Sequence, residues 1–203
     1  MAQYKKEEIQ TLILNSAEEL FASKGYKSTT ISDIAKASGI SVGNVYRYYK
    51  GKDQILDQIL PKEFVESLQE KLRSKILTGK SDSISKQSQN KEYLQQTDLF
   101  QNMLKDNQQK LVILMQYSQE TPYESFRKDM VQNLSELVLE NFCPAEKRTE
   151  DMKDMLEILY DGYIQMTLQI ATKDWSPEKK VTELKNLNYY HIMGLGAILG
   201  IGK

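Results

Sequence analysis

Apolar residues recur every three or four positions along most of this chain, and no run of alternating apolar and polar residues interrupts that rhythm. The pattern predicts an all-α fold. A first helix is expected over residues 5–24, where Ile9, Leu12, Ile13, Ser16, Ala17, Leu20 and Phe21 share a face and Gly25 stands at the C-terminal cap position. Thr30 with Asp33 three residues on has the form of a capping box, so a short helix should run from Ile31 to about Ser38 and stop at Gly39. Ser41 can cap a further helix through Tyr48, with Ile40, Val45 and Tyr49 turned inward. Two short helices joined by a glycine-containing turn form a helix-turn-helix.

Asp53 is placed to cap a fourth helix whose apolar side holds Ile55, Leu56, Ile59, Phe64, Val65, Leu68, Leu72 and Ile76, and Pro61 should kink or interrupt it. Residues 78–90, "TGKSDSISKQSQN", are polar and predict a surface loop. Helical periodicity resumes over 91–105, 107–118, 122–142, 149–173 and 177–200, punctuated by Pro122, Pro144 and Pro177. The helix over 149–173 carries two apolar stripes, Met155, Leu159, Tyr163, Met166 and Ile170 beside Leu156, Tyr160, Ile164 and Leu168. Such a helix packs on two sides, either inside one domain or between a core and a second subunit.

Composition narrows the classes. The chain has 203 residues, a net charge of −1, one cysteine and one histidine. Cys143 cannot form an internal disulfide, and with His191 alone there is no metal-ligand spacing, so no metal or cofactor is expected. The absence of a long apolar run predicts no membrane span and a cytoplasmic protein. Charge is unevenly spread: Lys24, Lys27, Lys36, Arg47, Lys50 and Lys52 against Asp33 make a local +5, leaving −6 for the rest. A basic patch on an acidic body points to a polyanion.

The stretch "TTISDIAKASGISVGNVYRYYKGKDQIL" (29–56) resembles the DNA-binding segment of TetR-type bacterial transcriptional regulators, through the residues Thr30–Ala35, Ser38–Gly43, Val45–Tyr49 and Lys52. The resemblance implies an N-terminal three-helix helix-turn-helix domain, residues 1–52, and a C-terminal helical ligand-binding and dimerisation domain, residues 53–203. It implies a homodimer on a palindromic double-stranded operator, most often as a repressor released by a small-molecule effector. It implies no enzyme. Two departures stand out: Tyr49, where the family often has phenylalanine, and Pro61 in the connecting helix.

The candidate DNA contacts are Thr29, Thr30, Ser41, Val42, Gly43, Asn44, Tyr46, Arg47, Tyr48 and Lys52. Ser41 caps a helix whose free amides suit a phosphate, Gly43 lets the backbone come close, and Asn44 can donate and accept toward an adenine edge. By resemblance, Tyr46 and Tyr48 donate to phosphates and Arg47 reaches a phosphate or a guanine. Lys52 is expected as a phosphate clamp, and Thr29 to reach the backbone through its hydroxyl.

For the effector, Phe100, Met103, Tyr117, Met130, Tyr163 and Met166 are candidate pocket residues, suited to a small apolar or amphipathic molecule. The dimer interface is expected at Tyr160, Ile164, Leu168, His191, Gly194, Leu195 and Ile198, with Gly196 and Gly200 allowing close helix packing. "GLGAILG" (194–200) lacks the preceding strand of a dinucleotide loop. Two rivals remain: a DNA-binding regulator controlled by a protein partner, and an all-α interaction module or enzyme. The enzyme has no nucleophile and base to stand on, and the module leaves the +5 patch unexplained.

Overall fold

The computed structural model describes residues 2–78 and 91–200, and every regular element among them is helical. The loop expected over 78–90 lies, apart from Thr78, outside the described residues. Ten α-helices are described: α1 Ala2–Lys24, α2 Ile31–Ala37, α3 Val42–Tyr48, α4 Lys52–Ile59, α5 Lys62–Thr78, α6 Lys91–Asp106, α7 Gln108–Gln116, α8 Phe126–Phe142, α9 Glu150–Thr172 and α10 Pro177–Leu199. The chain divides into two compact units, Met1–Glu66 with Gln109–Arg127, and Ser67–Gln108 with Lys128–Lys203.

In the first unit, the stripe Ile13, Ala17 and Phe21 of α1 is fully buried, as are Ile34 and Ala35 of α2, Val45 of α3 and Ile55, Leu56 and Ile59 of α4; α1 packs on α2 and α4, and α2 on α3. Removing this much apolar surface from water is what holds three helices of only seven or eight residues, too short to persist alone. α1 ends at Gly25 with φ +90, a conformation that side chains with a Cβ resist. Thr30 caps α2: its hydroxyl accepts from the Asp33 amide, and the Asp33 carboxylate accepts from the Thr30 amide in return. Gly39, at φ +68, turns the chain into α3.

One feature of this unit differs from the sequence expectation, and one agrees with it. α4 begins at Lys52 with Gly51 as its N-cap, so Asp53 lies inside the first turn, where its carboxylate accepts from the Tyr26 hydroxyl. Pro61 interrupts the expected helix, separating α4 from α5. The Leu60 carbonyl at that break accepts from the Tyr123 hydroxyl at 3.1 Å.

Residues 109–127 join the unit through specific contacts. The Tyr26 amide donates to the Tyr117 carbonyl, the Tyr117 ring lies against Gly25, and Lys27 pairs with Glu120 at 2.7 Å. Leu111 to Met115 of α7 are all buried, as expected of a helix apolar around its circumference. Pro122 stands in a turn, so α8 starts at Phe126 rather than near 122.

In the second unit, α9 packs on α10 and α10 on α6. Of the two stripes of α9, Leu156, Tyr160, Ile164 and Leu168 are the buried one. Tyr160, Ile164 and Leu168 therefore belong to the interior of this chain, which corrects the expectation that they form a subunit interface. Exposed apolar residues of the second unit are Leu99 on α6, Met155, Ile158 and Met166 on α9, and Tyr189, Tyr190, Met193 and Ile198 on α10. Gly194 is exposed and Leu195 half-buried, Gly196 is buried, and Gly200 ends α10 as its C-cap. Cys143 is buried, and burial pushes its thiol pKa up, as befits an inert side chain.

Candidate nucleic-acid interface

Helix α3 hangs on the fold by few side chains. Val45 is its one buried residue, and Tyr49 just beyond it is the second anchor, its ring buried and its hydroxyl bonded by Gln10. Because consecutive helical positions lie about 100° apart, burying Val45 turns the neighbouring positions outward. Ser41, Val42, Gly43, Tyr46 and Arg47 are exposed, and Asn44 and Tyr48 half-buried. The Ser41 hydroxyl accepts from the Asn44 amide at 3.2 Å, fixing the start of the helix. Arg47 Nη1 donates to Asn44 Oδ1 at 3.4 Å, so the amide and the guanidinium lie side by side on one face.

The basic character of the region is unevenly available. Lys24 pairs with Asp33 at 2.8 Å, a bond that together with the cap holds the Asp33 carboxyl well below the usual carboxylate range. Lys27 pairs with Glu120. Lys36, Arg47 and Lys50 are exposed and, among the described residues, have no carboxylate partner. Lys52 folds back: its ammonium donates to the Tyr26 carbonyl at 2.8 Å and lies 4.3 Å from the centroid of the Tyr26 ring. The Tyr26 phenol, buried and donating to Asp53, has its pKa pushed well above the usual range, by burial first. Tyr26, Lys52 and Asp53 thus bind the turn after α1 to the start of α4, an arrangement whose only sequence trace is the cation beside an acid at 52–53.

One expected contact is corrected. Thr29 is buried, 1% exposed, and its hydroxyl donates to the Gly25 carbonyl at 2.7 Å, so it closes the turn instead of facing a duplex. Thr30 is exposed but occupied as the α2 cap.

Residues 13–59 match the family model described as bacterial regulatory proteins, tetR family, a span that takes in the buried stripe of α1, the helix-turn-helix and α4. These residues carry the sequence of a tetR-family DNA-binding segment. The chain is 37% identical over 70 residues to the HTH-type transcriptional repressor KstR2 of Rhodococcus jostii, covering 34% of each chain. It is 33% identical over 66 residues to the fatty acid metabolism regulator protein of Bacillus subtilis, covering 31% of this chain and 34% of that one. It thus spans about a third of the length of the curated relatives it matches. The structure of the ketosteroid transcriptional regulator KstR2 of Mycobacterium tuberculosis shares the fold over most of its length, with a TM-score of 0.55 at 20% identity, covering 96% of this chain and 95% of that one.

The expected effector residues are not one group. Tyr117 belongs to the first unit, against Gly25. Phe100, Met103 and Met130 are buried in the second unit and Tyr163 half-buried there, while Met166 is 37% exposed on α9. His191 is not a surface residue either: it stacks on Tyr163 with centroids 4.1 Å apart and meets Tyr160 edge-on at 5.1 Å. Beside it lies Lys75 of α5, which the sequence reading missed because a lysine in a charged helix gives no sign of being enclosed. Among the described residues, no three His, Cys, Asp or Glu side chains are grouped to hold a metal, and no helix is long and apolar enough to cross a membrane.

Proposed function

We propose that this chain is a sequence-specific DNA-binding transcriptional regulator, a repressor of the tetR family working in the cytoplasm as a homodimer on a palindromic operator. Residues 1–52 would supply the reading domain, and residues 53–203 the effector and dimerisation domain. The observation that carries the reading is the exposed face of α3, where Val42, Asn44, Tyr46 and Arg47 project from a helix held only by Val45 and Tyr49. Asn44 and Arg47 have the chemistry of base reading, and Ser41, Tyr46, Tyr48, Lys36 and Lys50 that of gripping phosphates on either side. Lys52 spends one of its three donors on the Tyr26 carbonyl and keeps two for a phosphate.

A second copy is supported by a different surface. Met155, Ile158 and Met166 lie along one side of α9, with Gly162 between them, and Tyr189, Tyr190, Met193 and Ile198 along α10. Apolar side chains exposed in register on two adjacent helices suit an isologous four-helix contact. An effector binding the second unit would shift the population toward dimers whose two α3 helices no longer match successive major grooves.

Fluorescence anisotropy with duplexes from the region upstream of the coding sequence tests the reading. Asn44→Ala should cost about 1–3 kcal/mol of discrimination against mutated operators. Arg47→Ala should weaken binding and flatten the dependence of log K on log salt by roughly 0.9 if its contact is a phosphate. Equal affinity for random duplexes, or for wild type and both variants, rules the reading out.

A further inference from the structure

Within the second unit, Lys75 carries a half-buried charge for which the described residues supply no counter-ion. Its ammonium donates to Asn188 Oδ1 at 2.9 Å and lies 5.0 Å from the centroid of the Phe100 ring. An ammonium has three donors, and among the described residues no carboxylate pairs with this one. Burial pushes its pKa down to about 8, which leaves it mostly charged at neutral pH. His191 stands close enough to feel that charge, and its Nε2 is buried with no hydrogen-bond partner among the described residues. Tyr163, stacked on His191, directs its hydroxyl to the same Asn188 Oδ1 at 3.4 Å.

A half-buried cation with no acid among the described residues, beside a buried imidazole nitrogen with no partner among them, is costly to keep unless something completes both. We propose that Lys75, His191 and Asn188 form the anchoring point for the carboxylate of an amphipathic monoanion, whose tail lies along the apolar side chains around Phe100. One carboxylate oxygen accepts from the Lys75 ammonium, the other from His191 Nε2–H in the neutral tautomer. A single cation, with neutral donors and no guanidinium fork, matches one negative charge better than the two of a phosphate monoester. The inference deepens the effector side of the regulator reading by naming the ligand's charged group.

The test is isothermal titration calorimetry of the full chain, without DNA, using decanoate, decanol and decyl phosphate. Wild type should bind decanoate at least about tenfold tighter than decanol, as one recovered ion pair in a desolvated site implies. Lys75→Met should bring the two to parity while leaving decanol binding unchanged. At pH 8 the wild type should also take up about half a proton on binding decanoate, read from titrations in buffers of different ionisation enthalpy, because the carboxylate draws the Lys75 pKa back up. Lys75→Gln is read in the same way if the Met variant does not fold, and failure of both to fold overturns the proposal by making the lysine structural. Equal decanoate affinity in wild type and Lys75→Met, no preference over decanol, tighter binding of decyl phosphate, or no proton uptake at pH 8 also overturns it. Operator anisotropy is measured separately. A negative titration removes this site and leaves the regulator standing, and a loss of operator selectivity does the reverse.

Discussion

Replacing His191 with phenylalanine should remove a large part of the acid sensitivity of the second unit. The imidazole is packed against Tyr160 and Tyr163 of α9 and faces the ammonium of Lys75 from α5; burial first, and that charge second, push its pKa down to about 4. The unfolded chain protonates the same group near the ordinary histidine value of about 6.5. Between those two pH values the unfolded state binds a proton that the folded state refuses, so stability falls as pH falls, by about 1.4 kcal/mol per unit. Over the whole window the loss approaches about 3 kcal/mol; below pH 4 the folded state protonates too and the slope from this group vanishes. Phenylalanine keeps the ring packing and cannot titrate. Urea unfolding followed by fluorescence of Trp175, the sole tryptophan and a residue of the second unit, gives the measurement. Carboxylates contribute to the acid limb of both proteins, and the difference between the two curves isolates His191. The difference should change by about 2–3 kcal/mol between pH 7 and pH 4.5. Curves that stay parallel to within about 0.5 kcal/mol, close to the error of the extrapolation, would refute the argument.

Three further outcomes are expected. Thr30→Ala removes the side-chain half of the α2 capping box and should cost about 1 kcal/mol, seen as a fall of roughly 2–4 °C in the melting temperature. Gly25→Ala and Gly39→Ala both impose a Cβ on a left-handed backbone, worth about 1–2 kcal/mol each. Only at Gly25 would that Cβ also meet Tyr117, at 3.3 Å, so Gly25→Ala should be the more destabilising in urea titrations, and equal costs would remove the packing argument. Tyr123→Phe deletes the donor to the Leu60 carbonyl and should lower stability by about 1 kcal/mol in the same assay, with helix content by circular dichroism unchanged.

What could be foreseen from the sequence follows local rules. The caps Thr30, Ser41 and Gly25 announce helix ends because each satisfies backbone groups a few residues away, and the observed ends of α1, α2 and α3 agree with them. The inward turn of Val45 and Tyr49 follows from helical periodicity alone. Readings that needed knowledge of three-dimensional partners fared differently. Thr29 has the chemistry of a phosphate contact but the position of a turn closure, and only the Gly25 carbonyl decides between them. Two apolar stripes on α9 looked alike, and which is interior depends on where α10 lies. Nothing local reveals that residues 109–127 share a unit with residues 1–66, since the contacts of Tyr117, Glu120 and Tyr123 span more than sixty residues of sequence.

The slender attachment of α3 has an evolutionary consequence. Exposed substitutions that break no cap or buried contact usually change stability by less than about 0.5 kcal/mol. Val42, Tyr46 and Arg47 all lie outside the core that Val45 and Tyr49 complete. The surface that would choose an operator can therefore drift, or be redesigned, with little penalty to the scaffold presenting it. Descendants of this chain could acquire new target sequences while the same stripe of α1 continued to hold them together.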